Sequence, residues 1–389
     1  MSILMYLSAV SLSVSISAME VALVILILLL IRHLWRNSID ITVDCPYFIP
    51  FFIYWLATVA SLFFGSSYAN ITDGVFSVWG LLYFFGAYYF ISSGNIRFTL
   101  GALVAGSVAL ALSAAADVVL YSAPRGDGFL SIYMSTGNLL ALSAALALAV
   151  IVSGYEKGLG AFLYGVALVV IVIGIYYTGT RGALLSFIVA ACIMFVVRFR
   201  AKGIFAAALL VAFAVVAAYF TGIGDRFTEL LQGFGDKDTS HGWRLVLWQA
   251  AWELIKEYPL FGIGQGAFEP MIIGSMPSNA MAVSHPHNAY IHQITLYGIV
   301  GFVAFCLLYG KITFDLAKSM FKNKYAFMGF FVMIVFFLEG ITENNFTDGE
   351  IKMFQMFVAG AMLGAVKKSI SDKAKDNVAI FFKKTSKKI

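Results

Sequence analysis

Long uninterrupted apolar segments are the feature of this sequence that most constrains its fold. Three of them read VALVILILLLI, FAAALLVAFAVVAAYF and AFMGFFVMIVFFLEG. A helix that crosses a bilayer needs about 20 mostly apolar residues, whereas the strands of membrane β-barrels show short alternating patterns. Charged residues make up only 12% of the chain, against about 25% in a typical soluble domain. We therefore predict an all-α polytopic membrane protein.

The hydropathy pattern predicts about 12 transmembrane helices and divides the chain into four parts. These are the N-terminal transmembrane helices (1–221), a long loop (222–292), the C-terminal transmembrane helices (293–366) and a basic tail (367–389). Residues 1–31 fit either one long tilted span or two short ones. The predicted spans are 1–17, 18–31, 47–65, 74–93, 98–121, 130–153, 159–177, 183–197, 203–221, 293–310, 325–341 and 351–366.

The distribution of lysine and arginine predicts the orientation. Alternate connections, together with the C-terminal tail, hold 19 of the 26 basic residues, and such loops face the cytoplasm. The loop 222–292 then faces outward. The lysine-rich tail is expected to contact anionic membrane lipids rather than nucleic acid. The three cysteines lie far apart, within or beside apolar segments, and are interpreted as packing residues.

The outward loop contains one predicted amphipathic helix. The segment SHGWRLVLWQAAWELIKEYP begins at Ser240, a suitable N-cap, and its apolar residues recur at helical spacing up to Pro259. At about 100° per residue, Arg244 falls within or at the edge of the apolar stripe. A guanidinium in that position either reaches lipid headgroups, pairs with a loop carboxylate or binds an anionic ligand.

A second arginine, Arg181, occupies an unusual position in YYTGTRGALLS. Residues 159–197 form an apolar stretch about twice as long as one bilayer span, so the chain must turn near 178–182. The topology places this turn outside, where a positive charge runs against the usual bias. Charges at such boundaries are candidates for a functional role, and a plain topological anchor is the alternative.

Three of the five histidines lie within eight positions of HPHNAYIHQITLYGIVG. Pro286 keeps His285 extended, and Asn288 suits the N-cap of a helix that begins near Ala289. His287 therefore precedes a helix N-terminus, where a neutral imidazole can accept a proton beside an anion. A structural capping role and a metal site are alternatives. The cluster contains no carboxylate, and we predict no metal.

Three segments together carry a family resemblance. In this order, TGTRGALLSF, HGWRLVLWQAAWELIKEYPLFGIGQGAF and SHPHNAYIHQITLYGIVG resemble the bacterial O-antigen ligase and O-antigen polymerase superfamily, over about residues 180–310. His287 and Asn288, then nine residues, Gly298, two residues and Gly301 are similar to a His-Asn, nine, Gly-x-x-Gly pattern of the ligases. The resemblance implies a helical, GT-C-like glycosyltransferase fold with about 12 spans and one long periplasmic loop.

The resemblance also implies a reaction. The chain would transfer O-antigen polysaccharide from undecaprenyl pyrophosphate to a sugar hydroxyl of lipid A core, on the periplasmic face of the bacterial inner membrane. Arg181 and Arg244 would bind the pyrophosphate, and His287 would be the general base. The transfer would be a single inverting displacement that needs no metal and no cofactor.

Further residues are expected to support this site. Relatives can carry an acid near the position of Glu343 in EGITENN, so a role is transferred to it from the resemblance. The candidate supporting residues are His285, Asn288 and Glu343.

Two other functions remain open. An O-antigen polymerase would use similar arginines but join one lipid-linked glycan to another. A transporter or flippase is the alternative outside enzymes, but it would favour charges near the bilayer midplane and internal repeats. The charges described above cluster at the outer boundary instead.

Overall fold

The computed structural model describes residues 2–92, 94–130, 132–220, 240–273 and 284–386. Throughout these residues the regular structure is helical, without strands. Within them, seven helices are long and apolar enough to cross a membrane, and Ser2–Val14 and Phe48–Phe64 are shorter apolar helices. The predicted all-α membrane class agrees with this architecture, whereas the number of about 12 spans stays a prediction.

The described residues form the following α-helices, in chain order. They are α1 (Ser2–Val14), α2 (Ile16–Arg36), α3 (Ile41–Asp44), α4 (Phe48–Phe64), α5 (Ile71–Phe76), α6 (Tyr83–Phe90), α7 (Ile96–Val119), α8 (Tyr133–Val152), α9 (Leu159–Thr178), α10 (Arg181–Phe199), α11 (Ala201–Phe220), α12 (Ser240–Glu257), α13 (Phe268–Ile272), α14 (Ala289–Ser319), α15 (Lys324–Glu339) and α16 (Gly349–Ser386). Two 3₁₀ helices cover Trp79–Leu82 and Gly128–Leu130.

The N-terminal apolar stretch forms two helices rather than one. Ser15 has extended backbone angles, with φ −160° and ψ 122°, and its side chain accepts the N–H of Ala18. A serine that caps the second helix ends the first one, because the cap residue leaves helical geometry. Residues 2–31 therefore belong to two helices, of which α1 has 13 residues and α2, which continues to Arg36, has 21.

The predicted span 74–93 is not one continuous helix. The chain passes through α5, the 3₁₀ helix Trp79–Leu82 and α6. A broken helix frees backbone carbonyls, which need new partners inside a membrane protein. Lys352 is one such partner, since its Nζ donates to the carbonyl oxygen of Ser77 at 2.6 Å. Hydropathy alone does not indicate such a break, because the segment is apolar throughout.

Helix α8 lies at the centre of the bundle. It is 20 residues long, and almost all of it is buried. It packs against α9, α10, α15 and α16. Its sequence, YMSTGNLLALSAALALAVIV, is rich in alanine and serine, and small residues let neighbouring helices approach closely. The N-terminal turns of α8 carry Ser135 and Asn138 to one end of the bundle.

The segment after α12 is hydrogen-bonded to a kink in α14. Gly298 interrupts the helical geometry of α14 with φ 62° and ψ −168°. The carbonyls of Thr295 and Leu296 accept the N–H groups of Ile263 and Gly264, both at 2.9 Å. On the far side of the kink, the N–H of Ile299 donates to the carbonyl of Pro259 at 2.9 Å. The segment after α12 is therefore held against α14 by backbone hydrogen bonds.

The division of the chain into four parts stays a prediction. Residues 221–239 and 274–283 of the predicted loop lie outside the described residues, and so do 387–389 of the tail. Helix α12 begins at Ser240 and ends at Glu257, just before Pro259. The side chain of Ser240 lies outside the described part of the chain, and its capping bond stays a prediction. Helix α16 continues past Lys367, whose Nζ pairs with Asp44 Oδ2 at 2.8 Å.

We expect Gly298→Ala to destabilise the protein by about 2–5 kcal/mol. The added Cβ would lie 2.3 Å from the backbone of Leu260, and the residue would keep a positive φ that alanine disfavours. Thermal unfolding of the purified protein in detergent measures the effect. Gly310→Ala is the matched control, because a Cβ there meets nothing within 4 Å. Equal melting temperatures for the two variants would contradict the requirement for glycine at the kink.

Candidate functional site

The candidate site lies where several helix ends meet. Helix α9 ends at Thr178, Gly179 follows with a left-handed φ of 67°, and Arg181 begins α10. A Cβ on Gly182 would lie 2.4 Å from Thr342 Oγ1, so the start of α10 packs against the segment after α15. The N–H of Ala289 donates to the carbonyl of Gly340 at 2.8 Å, which brings the start of α14 to the same place.

Glu343 connects two of the predicted site residues. Its Oε1 lies 3.1 Å from Arg244 Nη2, and its Oε2 lies 3.1 Å from His287 Nδ1. The side chain of Glu343 is only 10% exposed, and those of Arg244 and His287 are 27% and 24% exposed. Charge-assisted bonds that are mostly shielded from water are stronger than exposed ones. One carboxylate therefore orients an arginine and a histidine that are 43 positions apart in sequence.

The contact with Glu343 determines which nitrogen of His287 can accept a proton. With an ionised carboxylate beside Nδ1, the neutral imidazole carries its proton on Nδ1 and donates it to Oε2. The lone pair is then on Nε2. A histidine oriented by a carboxylate in this way is arranged as a general base.

The backbone of His287 is also unusual. Its φ of 49° is positive, which is uncommon for a residue other than glycine. Such conformations persist only where the surroundings hold them, and they cluster at functional sites. One of these contacts is the N–H of His287, which donates to Nδ1 of His285 at 3.2 Å.

The ring of His285 packs edge to face against the ring of His287. The ring centroids of the two histidines are 4.5 Å apart, with the rings near perpendicular. Burial, followed by the neighbouring His287, lowers the pKa of His285 to about 4. His285 is therefore neutral at neutral pH, and its Nδ1 accepts the N–H of His287. His285 therefore contacts both the ring and the backbone N–H of His287.

Asn288 forms the predicted N-cap of α14. Its Oδ1 accepts the N–H groups of Tyr290 at 3.1 Å and Ile291 at 3.0 Å. Its Nδ2 donates to the carbonyl of Ile341 at 3.1 Å. Asn288 thus holds the start of α14 to the segment that carries Glu343, two positions further on.

Helix α12 contacts the histidine segment directly. Trp248 Nε1 donates to the carbonyl of Pro286 at 2.8 Å. The apolar face of the helix buries Leu247 and Ala251. Arg244 pairs with Glu343, which lies between α15 and α16, and this contact places the guanidinium near His287. The binding of an anionic ligand by Arg244 stays a prediction.

Arg181 lies at the first position of α10, in the turn predicted at 178–182. A second arginine, Arg125, packs against the same turn, and the sequence analysis did not identify it. A Cβ on Gly179 would lie 3.5 Å from Arg125 Nε, and the Arg125 guanidinium lies 4.5 Å from the centroid of the Tyr133 ring. Arg125 lies in YSAPRGDG, the connection between α7 and α8. The predicted topology puts this connection on the same side as the turn at 178–182, so the bias that singled out Arg181 also applies to Arg125.

The described residues contain no group of three or more histidine, cysteine, aspartate or glutamate side chains arranged to hold a metal ion. Among the predicted site residues, Arg244, Glu343 and His287 form one connected set of side chains. Such a set can bind an anion and accept a proton.

Residues 166–306 match the family model described as O-Antigen ligase. The matched region covers a little over a third of the chain and includes Arg181, Arg244, His285, His287 and Asn288, whereas Glu343 lies beyond it. The resemblance read from the sequence is confirmed over this region. It indicates the O-antigen ligase and polymerase superfamily, whose members are glycosyltransferase-like enzymes of O-antigen and lipopolysaccharide assembly. No curated protein matches the chain.

Proposed function

We propose that this chain, whose residues 166–306 carry the O-antigen ligase match, transfers O-antigen polysaccharide from undecaprenyl pyrophosphate to a sugar hydroxyl of lipid A core. The observation that carries the proposal is the connected set Arg244, Glu343 and His287. In this proposal the chain is a multi-pass protein of the bacterial inner membrane, and the site faces the periplasm. The long loop and the N-terminal and C-terminal helices supply the surrounding parts.

The proposed reaction is a single displacement at the anomeric carbon of the donor sugar. Nε2 of His287 takes the proton of the acceptor hydroxyl while the acceptor oxygen bonds to the anomeric carbon. The bond from that carbon to the phosphate oxygen breaks on the opposite face, and its electrons leave with the pyrophosphate. The anomeric configuration is therefore inverted. Glu343 stabilises the imidazolium that forms on His287.

Arginine side chains stabilise the negative charge that develops on the departing pyrophosphate. A guanidinium carries five N–H donors in a rigid fork that fits phosphate oxygens. The ion pair with Glu343 engages Nη2 of Arg244, so this arginine can hold Glu343 and a phosphate oxygen together. Arg181 is the second pyrophosphate ligand in this proposal. Because these charges are fixed in the protein, the reaction requires no metal or cofactor.

The choice of ligase over polymerase rests on the pattern from His287 to Gly301. The structure gives a role to two residues of this pattern. Asn288 caps α14, and Gly298 allows the close backbone approach of Leu260. The alternative is an O-antigen polymerase, in which a second lipid-linked glycan takes the place of lipid A core. A transporter is less consistent with a histidine oriented as a base, because transport needs no proton acceptor beside a leaving group.

Glycan transfer by the purified full-length protein in detergent tests the proposal. With undecaprenyl-pyrophosphate-linked glycan as donor and rough lipopolysaccharide as acceptor, we expect glycan to appear on the lipopolysaccharide. We also expect the rate to be unchanged in excess chelator. Lengthening of the lipid-linked glycan without transfer would indicate a polymerase instead. Loss of activity in chelator that added metal restores would contradict the role given to the arginines.

A further inference from the structure

A polar cavity opens beside the candidate site. It has a volume of about 260 Å³ and is bordered by Glu343 and His285 on one side. The start of α8 forms another wall through Ser135 and Asn138, and the segment 344–348 closes it. A single water needs only about 10–15 Å³ of such space. The cavity therefore admits a much larger group.

Buried amide groups line this cavity. Asn138 is only 2% exposed, and among the described residues its Oδ1 has no hydrogen-bond partner. Asn345 is fully buried, and its Oδ1 is also without a partner in the described part of the chain, whereas its Nδ2 donates to the carbonyl of Phe336 at 2.6 Å. Leaving a buried acceptor unsatisfied costs about 1–3 kcal/mol. Both side chains therefore gain from a ligand that donates hydrogen bonds.

The charges around the cavity are negative. Asp348 lies in its wall and accepts a hydrogen bond from Ser135, and Glu343 borders the same space. The described lining residues include neither lysine nor arginine. A phosphate group here would meet Asp348 and Glu343, because Arg244, the cation that pairs with Glu343, is not among the described lining residues. Such an approach of like charges is unfavourable at short distance. Hydroxyl groups, in contrast, can donate to the carboxylates and to the free amide oxygens.

We propose that this cavity binds the acceptor sugar, as a ring that presents hydroxyl groups and no phosphate to Asn138, Asn345 and Asp348. The inference rests on the proposed function and extends it to the acceptor. The donor carries a pyrophosphate, which belongs beside Arg244 and Arg181. The acceptor needs only one hydroxyl within reach of His287. The cavity borders Glu343 and His285, the two residues that contact His287, and its described lining includes no arginine. A sugar in it therefore lies close to the general base without displacing the arginines.

The test compares two variants of α8 in the purified full-length protein. Asn138→Leu keeps a similar side-chain size but removes the amide of a residue that lines the cavity and whose Oδ1 lacks a partner among the described residues. Ser143→Ala is the matched control, because Ser143 is also fully buried on α8, with a hydroxyl that lacks a partner among the described residues, but it does not line the cavity. We expect Asn138→Leu to raise KM for rough lipopolysaccharide about tenfold, because the sugar would lose one hydrogen bond to the buried amide oxygen of Asn138. KM for the lipid-linked donor should change less than about twofold in both variants.

A binding measurement separates this inference from the proposed function. Rough lipopolysaccharide and glycan-free undecaprenyl pyrophosphate are each titrated into wild type and Asn138→Leu. Weaker lipopolysaccharide binding with unchanged pyrophosphate binding supports the acceptor site, even if no transfer occurs, in which case only the proposed function fails. Transfer with equal KM for lipopolysaccharide in wild type and Asn138→Leu would overturn the acceptor site alone. An equal loss of affinity for both ligands would also overturn it, since the amide would then be structural.

Discussion

His287→Ala is expected to slow glycan transfer by about 10²–10⁴-fold, the usual contribution of a general base. The variant removes the imidazole whose Nδ1 is held 3.1 Å from Glu343 Oε2 and whose Nε2 is free to take the acceptor proton. Because the effect is on the chemical step, kcat should fall while KM for the donor stays near its wild-type value. Initial rates with purified protein, at saturating concentrations of each substrate, measure the change.

Two further variants make this result specific. His33→Ala is the matched control, because His33 lies in the last turn of α2, far in sequence from the site, and packs against Tyr89 and Phe90. It should leave transfer near wild type. His285→Ala should have the smaller effect of a positioning residue, which acts through the backbone of His287. If His287→Ala transferred glycan at the wild-type rate with equal expression, His287 would not be the base, and His285 would be tested next.

Replacing Arg244 or Arg181 with glutamine is expected to lower kcat by about 10²–10³-fold each, as loss of a donor that stabilises transition-state charge does. The proposed leaving group gains negative charge as the glycosidic bond breaks, so these contacts matter most in the transition state. Arg244→Gln should also loosen Glu343, since it removes the ion pair at 3.1 Å. Steady-state rates with varied donor concentration measure the loss.

Lysine variants test whether charge alone is sufficient. Arg181→Lys and Arg244→Lys keep a positive charge but lose the planar fork that binds two phosphate oxygens, so both should remain slow. Arg97→Lys is the matched control, because Arg97 also pairs with a glutamate, Glu156, at 2.6 Å, but lies at the second position of α7 and not at the candidate site. Near-normal turnover by both site lysine variants would show that a point charge is enough and would contradict the bidentate mechanism.

Much of the helical architecture could be predicted from the chain alone. Apolar runs of bilayer length indicated a membrane protein of helices, because backbone groups in lipid must satisfy one another within each segment. The turn at 178–182 followed from an apolar stretch twice too long for one span. The cap Asn288 followed from local chemistry, since a short polar side chain before a helix satisfies free N–H groups. These features depend on residues that are neighbours in sequence.

The break between α5 and α6 could not be predicted in this way. Its freed carbonyl at Ser77 is satisfied by Lys352, which is 275 positions away. A lysine within an apolar helix looks unfavourable in sequence, whereas in the structure it replaces a lost backbone hydrogen bond. Nothing in the local sequence around Ser77 indicates the partner.

What the sequence by itself determined is therefore the membrane class, most helix positions and the unusual placement of Arg181, Arg244 and His287 as separate features. Only the tertiary structure decided that Glu343 joins Arg244 to His287, that Arg125 covers the turn before Arg181, and that Asn138 faces a cavity beside Glu343. The physical reason is the distance along the chain over which each kind of interaction acts. Helix formation and capping act over a few residues, whereas this ion-paired set and this cavity form from side chains that are 56 to 213 positions apart in sequence and that packing brings together.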